Sequence, residues 1–193
     1  MNAITQIITQ QLGGSAARTI AQRFGISETT ANTAIQMGVP LILTALARNA
    51  SQPQEAQNLH QAIATDHDGS VLDNLMGYLG NPQSANGAGI LGHVFGNQRP
   101  VVENNLAQAT GMDQNSAGGL LETLAPLVMG SLGKAQQENG LDASGLSNFL
   151  NGQQQEAQVT APNAMSVLSS MLDQNKDGSS IDDLQRMAAK FFK

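Results

Sequence analysis

Apolar residues recur along this chain at intervals of three and four, the spacing that keeps side chains on one face of an α-helix. Ile4, Ile7, Ile8 and Leu12 open the pattern, and Gly13-Gly14 interrupts it. Ser15 is placed to cap a second helix carrying Ala17, Ile20, Ala21 and Phe24, which ends at Gly25. Ser27 stands where the next N-cap belongs. Gly38 and Pro40 divide the following stretch, with Pro40 in the first turn of a helix running to about Arg48. Later, Asp113 is an N-cap and Pro126 a kink within an apolar helix. Thr160 and Pro162 open a helix through Val167, Leu168 and Met171, and a last helix over 182–192 puts Leu184, Met187, Ala188 and Phe191 on one face. No segment alternates apolar and polar residues long enough to predict a strand. The expected fold is all-α, a compact multihelical array forming one domain over residues 1–193.

The pattern also repeats. Ile20-Ala21-Gln22-Arg23-Phe24-Gly25-Ile26-Ser27 parallels Leu106-Ala107-Gln108-Ala109-Thr110-Gly111-Met112-Asp113, 86 residues on. The same offset relates Pro40-Leu41-Ile42 to Pro126-Leu127-Val128 and Leu46-Ala47-Arg48 to Leu132-Gly133-Lys134. Asp66-His67-Asp68-Gly69-Ser70 in turn parallels Asn175-Lys176-Asp177-Gly178-Ser179 at an offset of 109. Two degenerate helical repeats are expected, about 2–80 and 88–192, the second ending in an acidic loop at 173–183. The change of offset implies an insertion in the second copy. Its expected place is the polar stretch Asn151-Gly152-Gln153-Gln154-Gln155-Glu156, read as an exposed loop.

Composition narrows the chemistry. Aromatic residues make up 3% and Trp is absent, so the core must be built from Leu, Ile, Val, Ala and Met. With no Cys, disulfides and thiolate metal sites are excluded. A formal net charge of -6 repels phosphate backbones and anionic lipid, so neither nucleic acid nor membrane is an expected partner. The first residues lack a basic start followed by an apolar core, and no apolar run approaches the roughly 18 residues of a spanning helix. A cytoplasmic location is expected.

The densest chemistry lies in Asp173-Gln-Asn175-Lys-Asp177-Gly178-Ser179-Ser180-Ile181-Asp182-Asp183. Oxygen ligands at alternate positions, followed by a glycine that permits a sharp turn, suit a hard cation such as Ca²⁺. Asp173, Asn175 and Asp177 supply side-chain oxygens, Ser179 a backbone carbonyl, and Asp182 or Asp183 the closing carboxylate. The spacing departs from the usual helix–loop–helix calcium site, because Ile181 stands one place late and Leu184 occupies the last ligand position. Mg²⁺ is an alternative occupant. A capped Asp-Gly turn would also explain Gly178 through Asp183, with Ser179 or Ser180 as cap and the aspartates in the first helical turn. It leaves Asp173, Asn175 and Asp177 unexplained. In the parallel stretch over 66–73, Ala64 replaces the first ligand, so a plain capped turn or a much weaker site is expected there.

Other candidates are weaker. The Gly25 turn is reminiscent of a DNA-binding helix-turn-helix, but the helix that follows opens Ser27-Glu28-Thr29-Thr30-Ala31-Asn32 with no positive charge. His60, His67 and His93 are scattered, none with a partner at metal-ligand spacing. Gly87, Gly89, Gly92 and Gly96 read as sites of close helix approach, not as a phosphate cradle, since no Lys-Ser/Thr pair follows. No nucleophile motif is present, and no enzymatic activity is expected.

Ile90-Leu91-Gly92-His93-Val94-Phe95-Gly96, the Gly111-Met112-Asp113 turn, Leu124-Ala125-Pro126-Leu127-Val128-Met129 and the tail from Asp177 to Leu184 together resemble the YidB-like bacterial proteins, a family of unknown function. The resemblance runs from about Asn2 to Phe192. It implies a bacterial, all-helical array and no established enzymatic activity. Two roles are therefore expected in competition. One is a non-enzymatic protein whose C-terminal loop binds Ca²⁺ for a structural or sensing purpose. The other is a metal-independent interaction or assembly module, in which apolar faces near Leu124 or Phe191 bind a protein partner or a second copy.

Overall fold

The computed structural model describes residues 4, 8, 10–12 and 14–160. Within them the chain is helical, with no strand: α1 (Ser15–Phe24), α2 (Glu28–Asn49), α3 (Pro53–Asp66), α4 (Ser70–Asp73), α5 (Leu75–Gly80), α6 (Gly87–Phe95), α7 (Arg99–Thr110), α8 (Gln114–Asn139) and α9 (Ala143–Thr160). Short 3₁₀ turns at Pro82–Ala85 and Gly96–Gln98 flank α6. The all-α fold is as expected.

Two long helices organise the core. α2 and α8 pack on each other; α1, α6, α7 and α9 surround α2, while α3, α4, α6 and α7 surround α8. Both are buried on every side through their middles, from Met37 to Ala47 and from Leu120 to Gly133 apart from Glu122. A helix with apolar residues all round belongs inside a core. That is why α2, though long and apolar enough by length and composition to cross a membrane, has 78% of its most apolar window buried within the protein. Ile4, Ile8 and Leu12 add their side chains to the same core.

Matching joints feed the two helices. Gly25 and Gly111 are both left-handed, at φ 64° and 73°, a conformation that glycine adopts without steric cost. Beyond them, the N–H groups of Ile26 and Met112 reach back to the carbonyls of Ala21 and Ala107, each at 3.0 Å. Ser27 and Asp113 then cap the next helix, accepting from the N–H of Thr30 and Ser116, each at 3.0 Å. These partners are 86 residues apart.

Three local expectations need correction. Gly38 and Pro40 do not divide α2, which runs unbroken for 22 residues. Gly38 is packed so closely that an added Cβ would lie 2.8 Å from the Leu124 side chain, and tertiary contact on all sides overrides the cost of an internal proline. Asn151–Glu156 is not an exposed loop but part of α9. Leu146, Leu150, Gln153 and Ala157 recur at helical spacing and are all buried, and Gln153 Oε1 accepts from the Ile4 N–H at 3.5 Å. Gly14, not Ser15, holds the N-cap position of α1.

Candidate functional site

The expected metal ligands Asp173, Asn175, Asp177, Ser179, Asp182 and Asp183 lie outside the described residues, as does Phe191. Their parallel, the stretch over 66–73, is described in full, and a cleft of about 520 Å³ opens beneath it.

This stretch is the joint between α3 and α4. Gly69 takes φ 97°, and the Asp68 carboxylate accepts from the Ser70 N–H at 3.0 Å, so Asp68-Gly69-Ser70 forms a capped turn. The Ser70 backbone hydrogen bond, then its side-chain one, holds the Asp68 carboxyl below the usual aspartate range. The turn seats on α8 through glycines: a Cβ on Gly133 would lie 1.9 Å from the His67 carbonyl oxygen, and one on Gly130 2.6 Å from Val71 Cγ1. Lys134 Nζ donates to Asp73 at 2.6 Å, and Gln137 Nε2 donates to the Asp68 carbonyl at 3.1 Å. Asp66, Asp68 and Asp73 are therefore split between cap, ion pair and solvent. Among the described residues no group of three or more His, Asp or Glu is arranged to hold a metal ion.

The cleft has a mixed lining. Asp66, His67, Asp68, Asn74, Asn81 and Ser84 line it with polar groups, while Val71, Tyr78, Ala85 and Pro126 add apolar surface. Burial pushes the His67 pKa down, against the pull of Asp66 and Asp68, which favours a neutral ring. Tyr78 is buried, and its hydroxyl donates to the Thr123 carbonyl at 2.8 Å. Burial raises its pKa strongly, so it stays a donor. Pro126, in the lining, offers no N–H to the Glu122 carbonyl one turn earlier. Gly87 closes over that carbonyl so tightly that a Cβ there would lie 1.9 Å from the oxygen.

A second cleft, about 370 Å³, is lined by Arg23, Phe24, Pro82, Glu122 and Thr123 among others. Arg99 braces it, donating to Glu103 at 2.6 Å, to the Ala88 carbonyl at 3.1 Å, and to Glu122. That network joins α6, α7 and α8.

The remaining candidates are structural. His60 Nε2 meets the Leu141 carbonyl at 3.1 Å, and the largely exposed His93 lies 3.5 Å from Glu55. Of the four glycines around α6, Gly87 makes the close approach expected of the set. Gly92 and Gly96 have nothing within 4 Å of an added Cβ, and Gly89 meets only the capping Asn86. Leu124 is fully buried, so α8 has no apolar face there for a partner. Sequence reasoning passed over Tyr78, although the only tyrosine in a chain this poor in aromatics was a signal.

A family model described as a bacterial protein of unknown function matches residues 6–135, from before α1 to near the end of α8. Helix α9 and the acidic loop lie beyond the match. No curated protein and no solved structure matches the chain.

Proposed function

This chain belongs to the DUF937 family of bacterial proteins, and we propose that it is a non-enzymatic, YidB-like helical scaffold whose C-terminal loop binds a divalent cation, Ca²⁺ by preference. The supporting observation is the Asp66–Asp73 turn. There the same Asp-Gly-Ser chemistry joins two helices, and its carboxylates are taken up by a cap and by Lys134. The C-terminal copy has a different ligand count: Asp173 replaces Ala64, and Asp183 replaces Asn74. Four carboxylates within eleven residues repel one another unless a cation neutralises them. Asp173, Asn175, Asp177 and one of Asp182 or Asp183 give side-chain oxygens, and Ser179 a carbonyl, the oxygen-only set that hard cations take. The ion serves to fix the angle between the segments on either side of the loop. In a cytoplasmic setting Mg²⁺ is the competitor.

A ligand that binds only the folded state stabilises it by about 2.7 kcal/mol at a hundredfold excess over Kd. For a protein of this size that raises Tm by about 5 to 10 °C. Melting with Ca²⁺ against chelator is expected to show this rise in the parent protein and none in Asp177→Ala. Equal melting temperatures for the parent in both conditions overturn the reading. Titration of Mg²⁺ against Ca²⁺ decides which ion is preferred.

A further inference from the structure

The cleft beneath the α3–α4 turn asks for a particular occupant. Asp66 and Asp68 line it, no Lys or Arg does, and Tyr78 and Pro126 add apolar surface. Its volume of about 520 Å³ is in the range of ligand-sized sites. Positive charge carried on an apolar body would satisfy both surfaces.

The chain itself contains such a segment. Residues 14–160 carry five basic and eleven acidic side chains, a net charge of -6. The stretch Gln185 to Lys193 has the opposite sign: Arg186, Lys190 and Lys193 with no acid, a net charge of +3, together with Met187, Phe191 and Phe192. Residues 161–184 are enough chain to span on the order of 80 Å when extended, so reach does not limit the contact. A tethered segment also meets its site at a local concentration in the millimolar range. We propose that the cationic stretch Gln185 to Lys193 docks in this cleft, with Lys190 or Lys193 against Asp66 and Asp68 and an aromatic ring against Tyr78 and Pro126.

The inference is independent of cation binding, and its test runs in chelator. A carbodiimide joins carboxylates directly to lysine amines in contact with them, and mass spectrometry locates the joined pairs. Lys134 and Asp73, 2.6 Å apart, are a built-in positive control. The expected result is a link from Lys190 or Lys193 to Asp66 or Asp68 within a single chain, lost in Lys190→Gln/Lys193→Gln and weakened at least threefold in 0.5 M salt, where exposed charges are screened. In Asp66→Asn/Asp68→Asn the tail lysines lose their partners while the Lys134–Asp73 link persists, which tells a lost contact from a lost fold. The proposal is overturned if the control link forms and the tail link does not, or if the tail link appears only between two chains.

Discussion

Helices α2 and α8 are built to one plan and part company in their second halves. Each begins behind a left-handed glycine and a polar cap, each carries a proline in its interior, and each is buried through its middle. Yet Thr44 and Ala47 of α2 stand 86 residues before Gly130 and Gly133 of α8. On α8 those glycines let the backbone of the α3–α4 turn come into contact, with the His67 carbonyl where a Cβ would be. On α2 both positions carry side chains, and the helix packs instead against α9, whose Ser147 hydroxyl donates to the Ala50 carbonyl at 2.8 Å. Caps and prolines set a common scaffold. Side chains at two matching positions distinguish the helix that packs against α9 from the one that receives the α3–α4 turn.

The largest effect is expected where a Cβ is added on α8. In Gly133→Ala the new carbon would lie 1.9 Å from a backbone oxygen, which cannot rotate away as the end of a side chain could. The turn must lift, at a cost of about 3 kcal/mol in urea denaturation. Ala47→Gly makes the reverse change on α2, where it removes a methyl and adds unfolded-state freedom at about 1 kcal/mol. Were Gly133→Ala to raise stability, as helix propensity alone would have it, the contrast between the helices would collapse.

A middle-sized effect should sharpen the comparison at the prolines. On α8 Gly87 packs against the Glu122 carbonyl, which Pro126 leaves without a helical donor, and the Tyr78 hydroxyl donates to the neighbouring Thr123 carbonyl. On α2 the carbonyl one turn before Pro40 belongs to Gln36, whose side is exposed to water. Tyr78→Phe is therefore expected to cost about 1 to 2 kcal/mol, the range for a buried acceptor that loses its donor. The N–H regained in Pro126→Ala serves the Glu122 carbonyl and not Thr123, so the same substitution is expected to cost about as much in that background. A clearly smaller loss there would tie the Tyr78 hydrogen bond to the proline.

Much of this was legible in the residues. The turns at Gly25 and Gly111 were, because cap chemistry is local: a glycine, a hydrophobe and a side-chain acceptor fix it within four positions. The unbroken course of α2 through Pro40 was not, because it depends on Leu121 and Leu124 of α8 packing against Gly38. Nor was α9 over 151–156. Its polar run hid a buried face at Leu146, Leu150, Gln153 and Ala157, with one glutamine in an apolar series. The cleft was the least legible part, since its walls come from α3, α4, α5 and α8. The capped turn at Asp68-Gly69-Ser70 could be anticipated, whereas the space beneath it takes in Pro126, and the turn seats on glycines whose partners lie some 60 residues away.

The smallest effect bears on where the two helices are most alike. Ser27 and Asp113 make the same hydrogen bond at the same 3.0 Å, but only the second cap is charged. Hydrogen bonds from Ser116, its side chain and then its backbone, hold the Asp113 carboxyl below the usual aspartate range. A carboxyl depressed in the folded state contributes stability that is present above its unfolded value, about 3.9, and is lost as pH falls through the folded value. Ser27→Ala is expected to cost about 1 kcal/mol at every pH. Asp113→Ala should be destabilising at pH 7 and approach neutrality below pH 3, while Asp113→Ser should restore a cap whose strength does not change with pH. Denaturation midpoints of the three variants between pH 2.5 and 7 distinguish the cases. A pH-independent loss in Asp113→Ala would mean that the side chain caps α8 through its hydrogen bond alone, with no contribution from its charge.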